Sequence, residues 1–180
     1  MDKNCSAASN YLVSFNTIAL VPIRIENKLY TRVLENHTEF LVKMKPSSII
    51  KKSLIFYGNT FKQATFFSRE AIGRVHKTPL LISRDYGVPL VMFPTLSAES
   101  EGNIWISFSA VKWFSLDSHK QCLVHFTNSI VLPVNVSRST MYRQYSLSHF
   151  LADEFQNRSN KIDHPFSQSI LMSPNKKTKR

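Results

Sequence analysis

Glycine is scarce in this chain of 180 residues: there are four, Gly58, Gly73, Gly87 and Gly102. No spacing among them builds the glycine-rich turn that cradles a nucleotide phosphate, so that class of nucleotide site is excluded. Cysteine is scarcer still. Cys5 and Cys122 form no CxxC pair, which excludes a disulfide-dense scaffold. Long apolar runs are lacking too. None approaches the roughly 18 residues of a membrane-crossing helix, so no membrane partner is expected. The opening MDKNCSAASNYLVSF has no charged segment followed by an uninterrupted apolar one. A secretory leader is therefore not expected, and the expected location is the cytoplasm, with reduced thiols. Acids are the last shortage. The twelve Asp and Glu residues never cluster, so a two-metal site built on carboxylates is not evident. Nothing in the chain calls for a cofactor.

What is present is apolar and basic. Hydrophobic residues make up 43% of the chain and aromatic residues 12%, enough to bury a core. Length and composition predict a single domain over residues 1–158 and a flexible basic tail over 159–180. The formal net charge is +11, and its distribution says more than its size. Residues 1–42 hold four cations and four anions, whereas residues 43–84 hold nine Lys and Arg against Glu70 alone. Residues 85–136 hold two against four, and residues 137–180 eight against three. A solubilising surface mixes the two signs. A long block nearly free of acid concentrates polyanions instead.

Periodicity organises the rest. Tyr11–Phe15 and Thr17–Ile25 read as strands, and Leu29–Leu34 pairs back on the latter through the turn at Glu26-Asn27-Lys28. With Glu39–Met44 they predict an antiparallel meander. Pro46 suits a first helical turn. Ile49, Ile50, Leu54 and Tyr57 then keep helical spacing, with Lys51 and Lys52 on the other side, and Gly58 stops the helix. Asn59 or Thr60 can cap a second helix, in which Phe61, Ala64, Phe67 and Ala71 predict the buried face while Lys62 and Arg69 share another. Gly73 ends it. Pro79 keeps Thr78 out of helix, so Arg74, His76 and Lys77 are expected on a short extended arm. Strands are predicted at Leu80–Ile82, Val88–Phe93, Ile104–Phe108, Val111–Phe114, Gln121–Thr127 and Ile130–Val134. Ser137–Phe155 reads as a last helix with Leu147, Phe150, Leu151 and Phe155 in one stripe. The fold class is α+β: a single domain with a mostly antiparallel β-sheet or barrel-like core, two central basic helices and a C-terminal helix.

Enzymatic constellations are weak. His119-x-x-Cys122-x-x-His125 has the residue types of a metal site, but in a strand Cys122 faces away from both histidines. A small hydrolase using His119 or His125 is the reading these residues would support. The basic constellation is stronger: Lys43, Lys45, Lys51, Lys52, Lys62, Arg69, Arg74, His76, Lys77 and Arg84. Cations on phosphates gain from counterion release but carry no sequence information. Arg74, with His76 and Lys77, is the preferred reader of bases; capping of carbonyls at the helix end is its alternative use. Met44, Phe56, Phe66 and Phe67 either stack on single-stranded bases or pack in the core, the latter being the expectation. An RNA or single-strand binding module is the alternative function.

The motifs MKP (44–46), FYGNTF (56–61), HKTPLLIS (76–83), FPTLS (93–97), WIS (105–107) and MYR (141–143) occur in this order. Together they resemble the ComK family of competence transcription factors, from about residue 10 to 158. The resemblance implies an activator of DNA-uptake genes that binds A·T-rich promoter boxes through the minor groove as a homodimer or tetramer, with RNA polymerase as a partner. It also implies that the tail segment Ile170, Leu171, Met172 and Pro174 is captured by a Clp-protease adaptor; folding of that segment back onto the core is the alternative. An undeformed minor groove is about 6 Å wide and a helix with its side chains about 10–12 Å. The second helix cannot enter intact, but the arm Arg74–Lys77 can.

Overall fold

The computed structural model describes residues 7–84 and 87–163, with side chains through residue 158. Cys5, the segment Ile170–Met172 and Pro174 lie outside them. Strand β1 (Thr17–Ile25) turns back on β2 (Lys28–Glu35). The reversal uses Glu26 and Asn27 at φ 46° and 60°, the left-handed pair that matches a tight hairpin to strand twist. Lys28, expected in the turn, is the first residue of β2. Strand β3 (Glu39–Val42) completes the predicted meander.

Two helices follow, α1 (Pro46–Phe56) and α2 (Phe61–Ile72), then β4 (Leu80–Ser83), β5 (Leu90–Pro94) and β6 (Trp105–Ser107). A single 3-10 turn, Phe108–Ala110, passes the chain into β7 (Val111–Leu116), β8 (Cys122–Phe126) and β9 (Val131–Val134). Helix α3 (Arg138–Asp163) ends the described chain. The six-stranded sheet has the order β3-β2-β1-β6-β5-β4 and the three-stranded sheet β7-β8-β9. All named pairings are antiparallel. The larger sheet closes in its middle, where Ala19 pairs with Ile106 and Leu20 with Trp105.

The barrel-like core is not there: the strands form two open sheets. The reason lies in strands such as LLIS and LVMFP, which are buried throughout. A strand apolar on both faces belongs to a middle layer, not to a wall with a wet outer side. Leu90 and Met92 turn to the cluster that holds Ile49, Ile50 and Leu54 of α1. Val91 faces Leu151 and Ala152 of α3, and Phe93 faces Phe114, Val124 and Phe126 of the smaller sheet. The layers are thus α1, the six-stranded sheet, and the smaller sheet with α3; α2 lies along β4, with Phe61 and Ala64 in the cluster of α1 and Ala71 and Ile72 in that of Leu151 and Ala152.

Three expectations need correcting. Tyr11–Phe15 is not a strand. Its polar groups find side chains instead of a neighbouring ladder: Val13 N–H donates to Ser53 Oγ at 2.8 Å, and the Tyr11 hydroxyl donates to Glu35 at 2.6 Å. Helix α3 runs past Phe155 to Asp163, supported by Arg158 on Glu154 at 2.8 Å. Its buried side is Met141, Gln144, Ser148, Leu151 and Ala152, and Phe150 is 67% exposed. Small residues at 148 and 152 let the helix approach closely, so the packed stripe follows them and not the largest side chains.

Candidate nucleic-acid interface

Helix α1 is fixed by its apolar side. Ile49, Ile50 and Leu54 are fully buried, which turns Lys51 and Lys52 outward. Gly58, at φ 77°, reverses the chain in the left-handed region. Thr60 then caps α2, its hydroxyl accepting from Gln63 N–H at 3.2 Å, which satisfies one of the free first-turn amides.

The face that α2 buries is the expected one except at Phe67. Its buried residues are Ala64 and Ser68, with Phe61, Ala71 and Ile72 half-buried. Phe67 is 46% exposed and Phe66 59%, and on α1 Phe56 is 66% exposed. The expectation that these rings pack in the core is therefore wrong for all three. Two small residues spaced four apart let α2 sit close on its support, and the rings are left on its flanks. Met44 is half-buried.

The cations fall into two groups. Arg24, Lys28, Lys43 and Lys45 line one cavity of about 510 Å³. Register explains the meeting: Ile25 opposes Lys28, and Thr31 opposes Val42. The hairpin tip therefore reaches the segment after β3, where Thr31 Oγ1 donates to Met44 O at 2.7 Å. Arg24 and Lys28 were not candidates from the sequence, although continuing the predicted meander by one residue pair would have found them. Glu101 pairs with Arg24 and lies 4.0 Å from Lys45 Nζ; Glu99 lies 3.9 Å from Lys51 Nζ. Lys51 Nζ also stands 5.5 Å from the centre of the Phe61 ring.

The second group is on α1, α2 and the segment that follows. Lys52, Lys62, Arg69, Arg74 and His76 are exposed and Lys77 half-buried. None of these, nor Lys43, makes an ion pair among the described residues. Gly73 ends α2 at φ 81°, its N–H donating to Arg69 O. The segment beyond is bent at His76-Lys77 and held by Thr78 Oγ1 donating to Val75 O at 3.0 Å. It is thus irregular and not straight. Arg84 stands apart, over the ring of Phe155 at 5.8 Å.

The histidine and cysteine motif is pulled apart. Cys122 is 1% exposed in the core, and burial pushes its thiol above the ordinary value. His125, on the other face of β8, is within hydrogen-bond distance of Ser115 Oγ at 2.8 Å and stacks on Trp113 with ring centres 3.9 Å apart. Asp117 Oδ1 accepts from the backbone of His119 and Gln121, so it closes a turn. No group of His, Cys, Asp and Glu among the described residues is placed to hold a metal.

A family model described as ComK protein matches residues 8–160. A competence transcription factor of Bacillus subtilis (strain 168) is 29% identical over 174 residues, which covers 96% of this chain and 88% of that protein. No solved structure matches the chain.

Proposed function

The chain belongs to the ComK family, and from that premise we propose that it activates competence genes by binding A·T-rich promoter DNA through the minor groove, as a homodimer or tetramer. The family is one of transcription factors, which is not an enzyme class. The observation that carries the reading is a set of cations without an ion pair among the described residues, Lys52, Lys62, Arg69, Arg74 and Lys77, with His76 beside them, on consecutive elements. A positive surface of this kind raises the local concentration of a polyanion and makes its binding salt-dependent.

The mode follows from size. Helix α2 is too thick for an undeformed minor groove. The irregular segment after Gly73 is thin enough, and a narrow A·T groove attracts inserted arginine. Arg74 reads, and Lys62 and Arg69 grip flanking phosphates. Arg74 makes no hydrogen bond to a carbonyl at the end of α2 among the described residues, which leaves its guanidinium available. RNA polymerase, and an adaptor acting on Ile170, Leu171, Met172 and Pro174, are the further partners of this reading.

The test compares Arg74→Ala with Lys62→Ala on A·T and G·C duplexes across a salt series. Lys62→Ala weakens both sequences alike and lowers the salt slope by about one. Arg74→Ala costs about 1–3 kcal/mol on the A·T duplex and less on the other. Equal weakening by Arg74→Ala removes the arm as reader. A minor-groove drug that fails to displace the protein removes the groove assignment. The exposed rings of Phe56, Phe66 and Phe67 favour one second reading, a single-strand binder that stacks bases on them. Preference for poly-U over the duplex, lost in Phe66→Ala, would establish it.

A further inference from the structure

The start of α1 breaks the usual chemistry of a helix N-terminus. Its N-cap is Lys45, which makes no side-chain capping bond, and no acid lies in its first turn. Acids and capping oxygens stabilise that end, and a cation there opposes the positive end of the helix dipole. The helix has 11 residues, long enough for that field to count. Beside it lies a cavity of about 260 Å³ walled by Lys45, Ser47, Ser48, Lys51, Asn103 and Trp105. That is several times the ~30 Å³ a water takes in the liquid.

Two of these walls carry donors without partners. Asn103 is 2% exposed, and its Oδ1 accepts from Leu96 N–H at 2.9 Å. That bond fixes which end of the amide is oxygen, so its Nδ2 is a true donor, and it has no partner among the described residues. Trp105 is 1% exposed, and its Nε1–H also lacks one. A buried N–H left unsatisfied costs about 1–3 kcal/mol, and such groups are few in native proteins. Two of them in the walls of one cavity, with three serine hydroxyls, two ammonium groups and the carboxylates of Glu99 and Glu101, call for an occupant rich in acceptor oxygens that can compete with those carboxylates for the two lysines.

We propose, resting on the duplex reading above, that this cavity seats one phosphate of the DNA backbone. A phosphodiester offers acceptors and no donors, as the two unpartnered N–H groups require. The cavity also shares Leu29, Lys45 and Glu101 with the basic one lined by Arg24, Lys28 and Lys43, so neighbouring phosphates of the same strand continue along it. Glu99 and Glu101 are the protein's own competitors. Their side chains are 79% and 58% exposed, and their distances of 3.9 Å and 4.0 Å to Lys51 and Lys45 are loose contacts. The phosphate takes Lys51 and Lys45 from them, and Glu101 stays paired with Arg24.

The chain has two tryptophans, Trp105 and Trp113. Trp113→Phe removes the half-exposed one and leaves a single indole N–H signal in the ¹H–¹⁵N spectrum of the full chain. Titration with an A·T duplex moves that signal saturably, and inorganic phosphate moves it the same way at far higher concentration. By anisotropy, Lys45→Ala weakens duplex binding about tenfold. Glu101→Gln strengthens it about threefold, more than Glu70→Gln on α2. The seat is overturned if the duplex binds and the Trp105 signal stays still, or if Glu101→Gln and Glu70→Gln act equally. A signal that answers to inorganic phosphate and not to bound duplex overturns the assignment to a DNA backbone. Absence of all duplex binding brings down the reading of function, and the seat with it.

Discussion

Helix α1 sets Ile49, Ile50 and Leu54 fully into the core, whereas α2, one residue longer, buries only Ala64 and Ser68 and leaves Phe66 and Phe67 in the open. Burying an aliphatic side chain of that size is worth about 1.5–3 kcal/mol, so α1 is held by three such terms, and α2 by a methyl group, a hydroxymethyl and the partial burial of Phe61, Ala71 and Ile72. Charge follows the same division. Lys51 on α1 faces Glu99, while Lys62 and Arg69 on α2 face no carboxylate among the described residues. A helix with few buried apolar contacts opens locally at low free energy. One helix therefore presents its cations from a fixed place, Lys51 with counter-charge at hand and Lys52 without. The other presents free cations on a looser mount, which suits a partner whose contour varies.

The largest expected effect is on the fixed side. Leu54→Ala leaves a cavity under α1 and lowers stability by about 2–5 kcal/mol in urea unfolding; a loss below one would mean α1 is no better anchored than its neighbour. Next comes Thr60→Ala, which removes the cap of α2 and costs about 1 kcal/mol. Its distinguishing result is faster amide exchange confined to residues 61–72, since a loosely held helix frays without unfolding the sheet. Smallest is Phe66→Ala, expected within about 0.5 kcal/mol of the parent. A loss as large as that of Leu54→Ala would show that the ring is covered in solution, and the contrast between the helices would fail.

The sequence made α1 legible because its apolar residues are large and regularly spaced, so Ile49, Ile50 and Leu54 announce the buried side. On α2 the same spacing points to Phe67 as well as Ala64, because a large ring signals burial more strongly than a small polar side chain; Ser68 is inconspicuous until a surface lies against it. Helix α3 repeats the lesson with Ser148 and Ala152 against Phe150. The meander and its turn were readable because alternation and Glu26-Asn27 are local signals. Two open sheets were not, because nothing short-range says that β1 lies against β6. The basic candidates were visible as composition. Arg24 and Lys28 lay one residue pair beyond the predicted meander; Asn103 and Trp105 were not visible at all, since an orphaned donor exists only in three dimensions.

The pairing of Ala19 with Ile106 and Leu20 with Trp105 has a consequence for biosynthesis. The strands β3-β2-β1 and β6-β5-β4 are each local hairpin arrays, and this short seam joins them. On a ribosome the first array is complete long before Ser107 emerges. At synthesis rates of roughly 5–20 residues per second, it waits on the order of ten seconds. During that interval the nascent chain offers an unpaired strand to any chaperone, or to another copy, that reaches it first.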